Sequence, residues 1–183
     1  MQFTPASLEG IVIIEPKIFR DTRGFFMESY NQKIFSENGI DVSFVQDNVS
    51  RSQKGTVRGM HYQLLPHAQG KLITVTWGTV FDVSVDIRKN SPTFGKWFGY
   101  TLNDENRHLL YIPPGFAHGF CVLSDFAEFS YKCTGFYAPQ AERTIRWNDS
   151  KVGIRWPMDP DPRLMSDKDR NAPDLASAEN NFN

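Results

Sequence analysis

The chain has 183 residues, with 20 basic against 21 acidic side chains and a net charge of -1. That balance argues against broad binding to nucleic acid or to an anionic membrane, because both depend on surplus Lys and Arg. Apolar residues at 40% and aromatics at 14% describe one globular domain, of a size that buries roughly 70% of its unfolded surface without needing a disulfide or a structural metal.

The opening MQFTPASLEG has no basic start and no apolar core, and no stretch reaches the roughly 18 apolar residues that span a bilayer, so the expected setting is cytoplasmic. The segment IVIIEP, from Ile11, reads as a strand; lying so near a chain end, it is open to exchange between two subunits. Arg23 follows in a Gly-containing loop ahead of aromatics. Asn31 then predicts the N-cap of a short helix over NQKIFSENGI, with Ile34 and Phe35 facing inward and Gly39 as the stop. VSFVQDNVS reads as the next strand.

In KLITVTW, Ile73, Val75 and Trp77 alternate with Leu72, Thr74 and Thr76. In FDVSVDIRK, Phe81, Val83, Val85 and Ile87 alternate with Asp82, Ser84, Asp86 and Arg88. A period of two marks a strand with one apolar and one polar face, and Gly78 between the two runs predicts a hairpin. KWFGYTL, HLLYIP, GFCVL, EFSYKCTGFY and TIRWND read as further strands, and a last short helix is expected near Lys168 and in PDLASAEN. Many short strands punctuated by Gly and Pro, with few helices, predict an all-β antiparallel sandwich or barrel, of which a jelly roll is the commonest form at this length. A single domain over 1–183 is expected, with a C-terminal extension after about residue 157.

The polar face of Asp82, Ser84, Asp86 and Arg88 has two readings: the lining of an enclosed pocket, or the wet side of a half-exposed sheet. Cys121 and Cys133 lack metal-ligand spacing and read as two buried thiols, with a disulfide as the alternative. His118 ends a Pro-x-Gly-x-x-His run that begins at Pro113, as in the metal-binding motif of cupins. A metal cupin also needs two histidines one residue apart and a nearby carboxylate; Tyr62 and Gln63 follow His61, so the pair is missing and a cupin-like barrel without metal is expected. His61 as a base, Lys71 as a cation and Tyr131 as an acid would make a kit for removing a proton beside a carbonyl; spacing alone does not show that they converge.

The ordered strings DTRGFFMESYN, FVQDNVS, TVRGMHYQ, AQGKLITVTWGTVFDVSVDIRKNSPTFGKW, YIPPGFAHGF, EFSYKCTGFYAP and IRWND resemble the dTDP-4-dehydrorhamnose 3,5-epimerase family, from about Glu15 to Pro173. The resemblance implies a metal-free cupin jelly roll, a homodimer, no cofactor, and dTDP-4-dehydro-6-deoxy-D-glucose as substrate. It implies His61 as general base, Asp169 as its carboxylate partner, Tyr131 as general acid, and Lys71 beside the carbonyl oxygen at sugar carbon 4. Arg23 and Arg58 match positions that contact the diphosphate and nucleotide. Glu28, Gln46, Asn48, His118, Glu142 and Lys168 match other ligand contacts. Phe25 and Tyr137 are candidates for stacking on thymine or ribose, with a core or interface role equally open. The proline-rich PMDPDPR upstream of Asp169 leaves Asp167 as the alternative partner of His61. Two other functions share these residues: inversion at carbon 3 or carbon 5 alone, and nucleotide-sugar binding without catalysis.

Overall fold

A computed structural model describes residues 1–183. The chain begins with β1 (Gln2–Pro5), β2 (Val12–Glu15) and a separate hairpin of β3 (Ile18–Asp21) and β4 (Gly24–Met27). Helix α1 (Gln32–Glu37) follows, then β5 (Gln46–Gln53), β6 (Val57–Gln63), β7 (Lys71–Trp77), β8 (Thr79–Asp86) and β9 (Trp97–Asn103). The remaining strands are β10 (Leu109–Ile112), β11 (Phe116–Val122), β12 (Phe126–Cys133) and β13 (Glu142–Thr144), and α2 (Asp167–Arg170) is a single turn. A six-stranded sheet in the order β1-β2-β10-β7-β12-β5 packs on a five-stranded sheet in the order β13-β6-β11-β8-β9. This is the antiparallel all-β sandwich that the strand pattern predicts, in the cupin-like jelly-roll form that the resemblance implies.

One end of the space between the sheets is closed by side chains. Ile73 and Val75 of β7, Leu110 of β10 and Phe129 of β12 meet Val80 of β8, Leu102 of β9 and Phe120 of β11 in one core. Each such side chain removed from water contributes about 1.5–3 kcal/mol. On the outer face of the larger sheet, Phe35 of α1 packs on Ile14, Leu72, Leu109 and Tyr111. Asn31 caps α1 as expected, its side chain accepting from the backbone N–H of Lys33 and Ile34.

Three expectations need correction. The hairpin about Gly78 does not form, because β7 and β8 lie in different sheets. Gly78 is instead the corner where the chain crosses between them, at φ 76°, and a Cβ there would come within 2.1 Å of the Phe126 carbonyl oxygen. Alternation reports which faces of a strand are buried and carries no information about its neighbours. TIRWND keeps strand structure only to Thr144, since Asp149 folds the chain into a turn by accepting from the N–H groups of Lys151 and Val152. PDLASAEN makes one turn, closed by the N–H groups of Ser177 and Ala178 on the Asp174 carbonyl. Strands β1, β3, β4 and β6 went unread in the sequence; β2 pairs with β1 and β10.

β8 is buried on both faces. Val83, Val85 and Ile87 point out of the sandwich and are covered by Val152, Trp156, Leu175 and Phe182 of the C-terminal segment. Asp82, Ser84 and Asp86 point inward with no exposed surface, so this face is enclosed and not wet, but none of the three lines the pocket itself, and Arg88 lies past the end of the strand, paired with Asp86. The two cysteines are free: Cys121 packs with Val57 and Met165, and Cys133 faces the interior near the pocket. No helix is long and apolar enough to cross a membrane.

Candidate active site

Strand register builds the site from both sheets. Across the smaller sheet, Thr144, His61, His118 and Ser84 stand in one row, each the pairing partner of the next. Across the larger sheet, Gln46, Cys133, Lys71 and Ile112 form one row, and Asn48, Tyr131 and Ile73 form the adjacent one. Because residues two apart share a face, these rows turn His61, His118, Lys71, Tyr131, Gln46 and Asn48 into the open end of the sandwich, where they line one pocket with Glu142 and Tyr137.

A pair of glycines lets β6 and β11 approach closely beside the two histidines. A Cβ on Gly59 would lie 2.5 Å from the Gly119 Cα, and one on Gly119 would lie 2.7 Å from the Arg58 carbonyl oxygen. The pairing shifts register between His118 and Phe120 at this point. The glycines of RGMH and AHGF thus position the two histidines.

His61 Nε2 lies 2.6 Å from Asp169 Oδ1, which comes from α2. Ser166 caps α2 by accepting from the Asp169 N–H. Burial alone would raise the Asp169 carboxyl, yet hydrogen bonding and charge from His61 outweigh it and hold its pKa below the usual range. Asp167 is solvent-exposed and paired with Arg170, so it is not the partner of His61. Facing this dyad, Lys71 has its pKa lowered by burial against the opposing pull of Cys133, Asp82 and Glu142. Its Nζ lies 5.8 Å from the Tyr131 ring centre. Burial raises the Tyr131 phenol, which therefore keeps its proton as a donor.

A second group extends the site past His61. Arg58 donates from Nε to Ser52 Oγ at 2.9 Å and pairs with no carboxylate. Arg58, Lys168 and Asp169 line a cavity with His61. Lys168 pairs with Glu142 at 2.8 Å, and the Tyr137 hydroxyl donates to the other Glu142 oxygen at 3.1 Å. The Tyr137 loop is held from beneath, with its N–H on Gln46 Oε1 and the Ala138 N–H on Gln63 Oε1. Gln63 was given no role from the sequence, and Asp82 was read only as part of a polar strand face, not as the partner of His118. Their signal is the polar alternate of a buried strand, which becomes legible only once the inward face is known.

Arg23 and Glu28 do not join the pocket of their own chain. Arg23 pairs with Asp21 at the tip of the β3–β4 hairpin, and Glu28 accepts from Asn31. Phe25, on the same hairpin, lies under the Arg107 guanidinium at 3.8 Å.

An imidazole backed by a carboxylate, a half-buried ammonium and a protonated phenol around one cavity can take a proton from carbon, stabilise the oxyanion that forms, and return a proton from another direction. No three His, Cys, Asp or Glu side chains gather as a metal cluster. The sequence profile of the dTDP-4-dehydrorhamnose 3,5-epimerase family matches residues 5–177. The dTDP-4-dehydrorhamnose 3,5-epimerase of Shigella flexneri is 56% identical over 98% of each chain, and that of Pseudomonas aeruginosa is 53% identical over the same shares. A crystal structure of dTDP-6-deoxy-D-glucose-3,5-epimerase from Legionella pneumophila, in complex with dTDP-4-keto-L-rhamnose, is 49% identical with a TM-score of 0.91, covering 96% of this chain and 93% of that one.

Proposed function

The chain belongs to the dTDP-4-dehydrorhamnose 3,5-epimerase family, and we propose that its pocket inverts carbons 3 and 5 of dTDP-4-dehydro-6-deoxy-D-glucose through enolates at the carbon 4 ketone. The observation that carries this mechanism is the 2.6 Å contact of His61 with Asp169 on one wall of a pocket whose other wall holds Lys71 and Tyr131. Carbons 3 and 5 both flank the ketone, so one base and one cation serve both centres when the ring reorients between steps. His61 takes the proton, and Asp169 orients the ring and favours the imidazolium. Lys71 meets the enolate oxygen, and Tyr131 returns a proton to the opposite face. Arg58, unpaired in the cleft, suits the diphosphate.

The working unit is a homodimer in which the β3–β4 hairpin of one subunit brings Arg23 and Glu28 to the cleft of the other. Two facts favour this arrangement. Both residues stand outside the pocket of their own chain, and the hairpin exposes Phe19, Phe25 and Phe26 at 52%, 44% and 69%, a concentration of apolar surface that marks a contact.

Incubating dTDP-4-dehydro-6-deoxyglucose with the protein in deuterated water, with a reductase to trap the product, tests the function by proton NMR. Deuterium at carbons 3 and 5 with trapped dTDP-L-rhamnose is the expected result. Label at one carbon alone overturns the double inversion, and no label overturns catalysis.

A further inference from the structure

His118 lies among the catalytic groups, yet it is tied to a residue that none of the steps above employs. Its Nε2 is 2.8 Å from Asp82 Oδ2. Asp82 is fully buried, and its other oxygen has no partner. The His118 ring stacks on Phe129 at 6.0 Å between centres, which fixes the plane of the imidazole. On the other side of that ring, Nδ1 has no protein partner and stays open to the pocket.

We propose that Asp82 is a positioning residue that holds His118 in the Nε2–H tautomer, so that His118 presents an unprotonated Nδ1 to the pocket as a hydrogen-bond acceptor for a hydroxyl of the sugar. A carboxylate has no hydrogen to give, so the shared proton belongs to Nε2 and Nδ1 keeps its lone pair. Protonating Nδ1 as well would create an imidazolium in a site that already holds the Lys71 ammonium. Burial, and after it the charges of Lys71 and His61, lower the His118 pKa against the pull of Asp82, which keeps the ring neutral. An acceptor repels an enolate oxygen and attracts a neutral O–H. Lys71 and His118 therefore divide the sugar between them, the oxyanion to the first and a hydroxyl to the second. The charge of Asp82 also favours the Lys71 ammonium.

This assignment rests on the epimerase function but is tested apart from it. Two-bond proton–nitrogen NMR on protein carrying 15N-labelled histidine reads each ring's tautomer without substrate. The expected wild-type spectrum has His118 protonated on Nε2 only at neutral pH; a ring protonated on Nδ1, or on both nitrogens, overturns the proposal. In Asp82→Asn, whose amide can donate as well as accept, the tautomer should become mixed. KM for the sugar nucleotide should rise about tenfold, the scale of one hydrogen bond, while affinity for dTDP, which lacks the sugar, stays unchanged. An unaltered His118 spectrum and KM in Asp82→Asn overturn the proposal. Should that variant fail to fold, the wild-type spectrum still decides. Failure of the epimerase function itself shows separately, as absence of deuterium exchange by the wild-type enzyme.

Discussion

His61 and Asp169 are 108 residues apart in the chain and 2.6 Å apart in space. One sits mid-strand on β6 and the other on a single helical turn, so the dyad exists only once the C-terminal segment has docked on the smaller sheet. Asp169→Asn keeps the size of the side chain and removes the charge that steadies the imidazolium. The kcat should fall by about 10²- to 10⁴-fold with dTDP affinity nearly intact, as checked by the reductase-coupled assay and by calorimetric titration of dTDP.

Tyr131 faces the pocket from the larger sheet and His61 from the smaller, so the proposed mechanism gives abstraction and return of the proton to separate agents. Tyr131→Phe should therefore depress inversion far more than it depresses exchange of the sugar protons with deuterated water. Equal loss of both, followed by NMR, would remove the phenol from its role as donor.

Burial displaces Lys71 and Tyr131 in opposite directions, the ammonium downward and the phenol upward. The enolate needs the ammonium, so kcat should decline as pH rises through the depressed Lys71 value. The alkaline limb of the pH profile should then lie below the ordinary lysine value of about 10.4 and vanish in Lys71→Met, whose residual rate should be lower by about 10²- to 10³-fold.

Asp86 lies on the inward face of β8 but serves the fold. Burial alone would raise its carboxyl, and hydrogen bonds from Arg88, Ser91 and Thr93 outweigh that and bring the pKa to about 2. A carboxyl depressed on folding stabilises above its unfolded value and loses that contribution as pH falls through the folded one. Asp86→Asn should cost about 2 kcal/mol at neutral pH. The difference from wild type should shrink as pH falls from about 4 toward 2, as read from urea unfolding midpoints across that range.

The close contact of Gly59 and Gly119 leaves no room for a methyl group. In Gly119→Ala the added Cβ meets backbone atoms that cannot rotate away, so stability should drop by about 1–3 kcal/mol and kcat should fall with it as His61 and His118 separate. Urea unfolding and the coupled assay together check this outcome.

The strands and their faces were legible in the chain because a period of two is a local property. Ile73 and Val75, and the alternation from Phe81 to Ile87, announced buried strands before any fold was known. Asn31 announced its helix in the same local way. The resemblance of ordered motifs pointed to His61, Lys71, Tyr131 and Asp169 as one set.

What the chain alone left open is what depends on distant partners. Gly78 marks a turn in the chain, which the sequence reads as a hairpin; that the turn is a corner between sheets depends on which strands β7 and β8 pair with. Asp82, Ser84 and Asp86 read equally well as wet or enclosed until a second sheet covers them, and Asp167 stays an alternative to Asp169 until α2 sets which of them faces β6. Packing decides these cases because the energy that separates the alternatives lies in contacts between segments far apart in sequence, which no local pattern records.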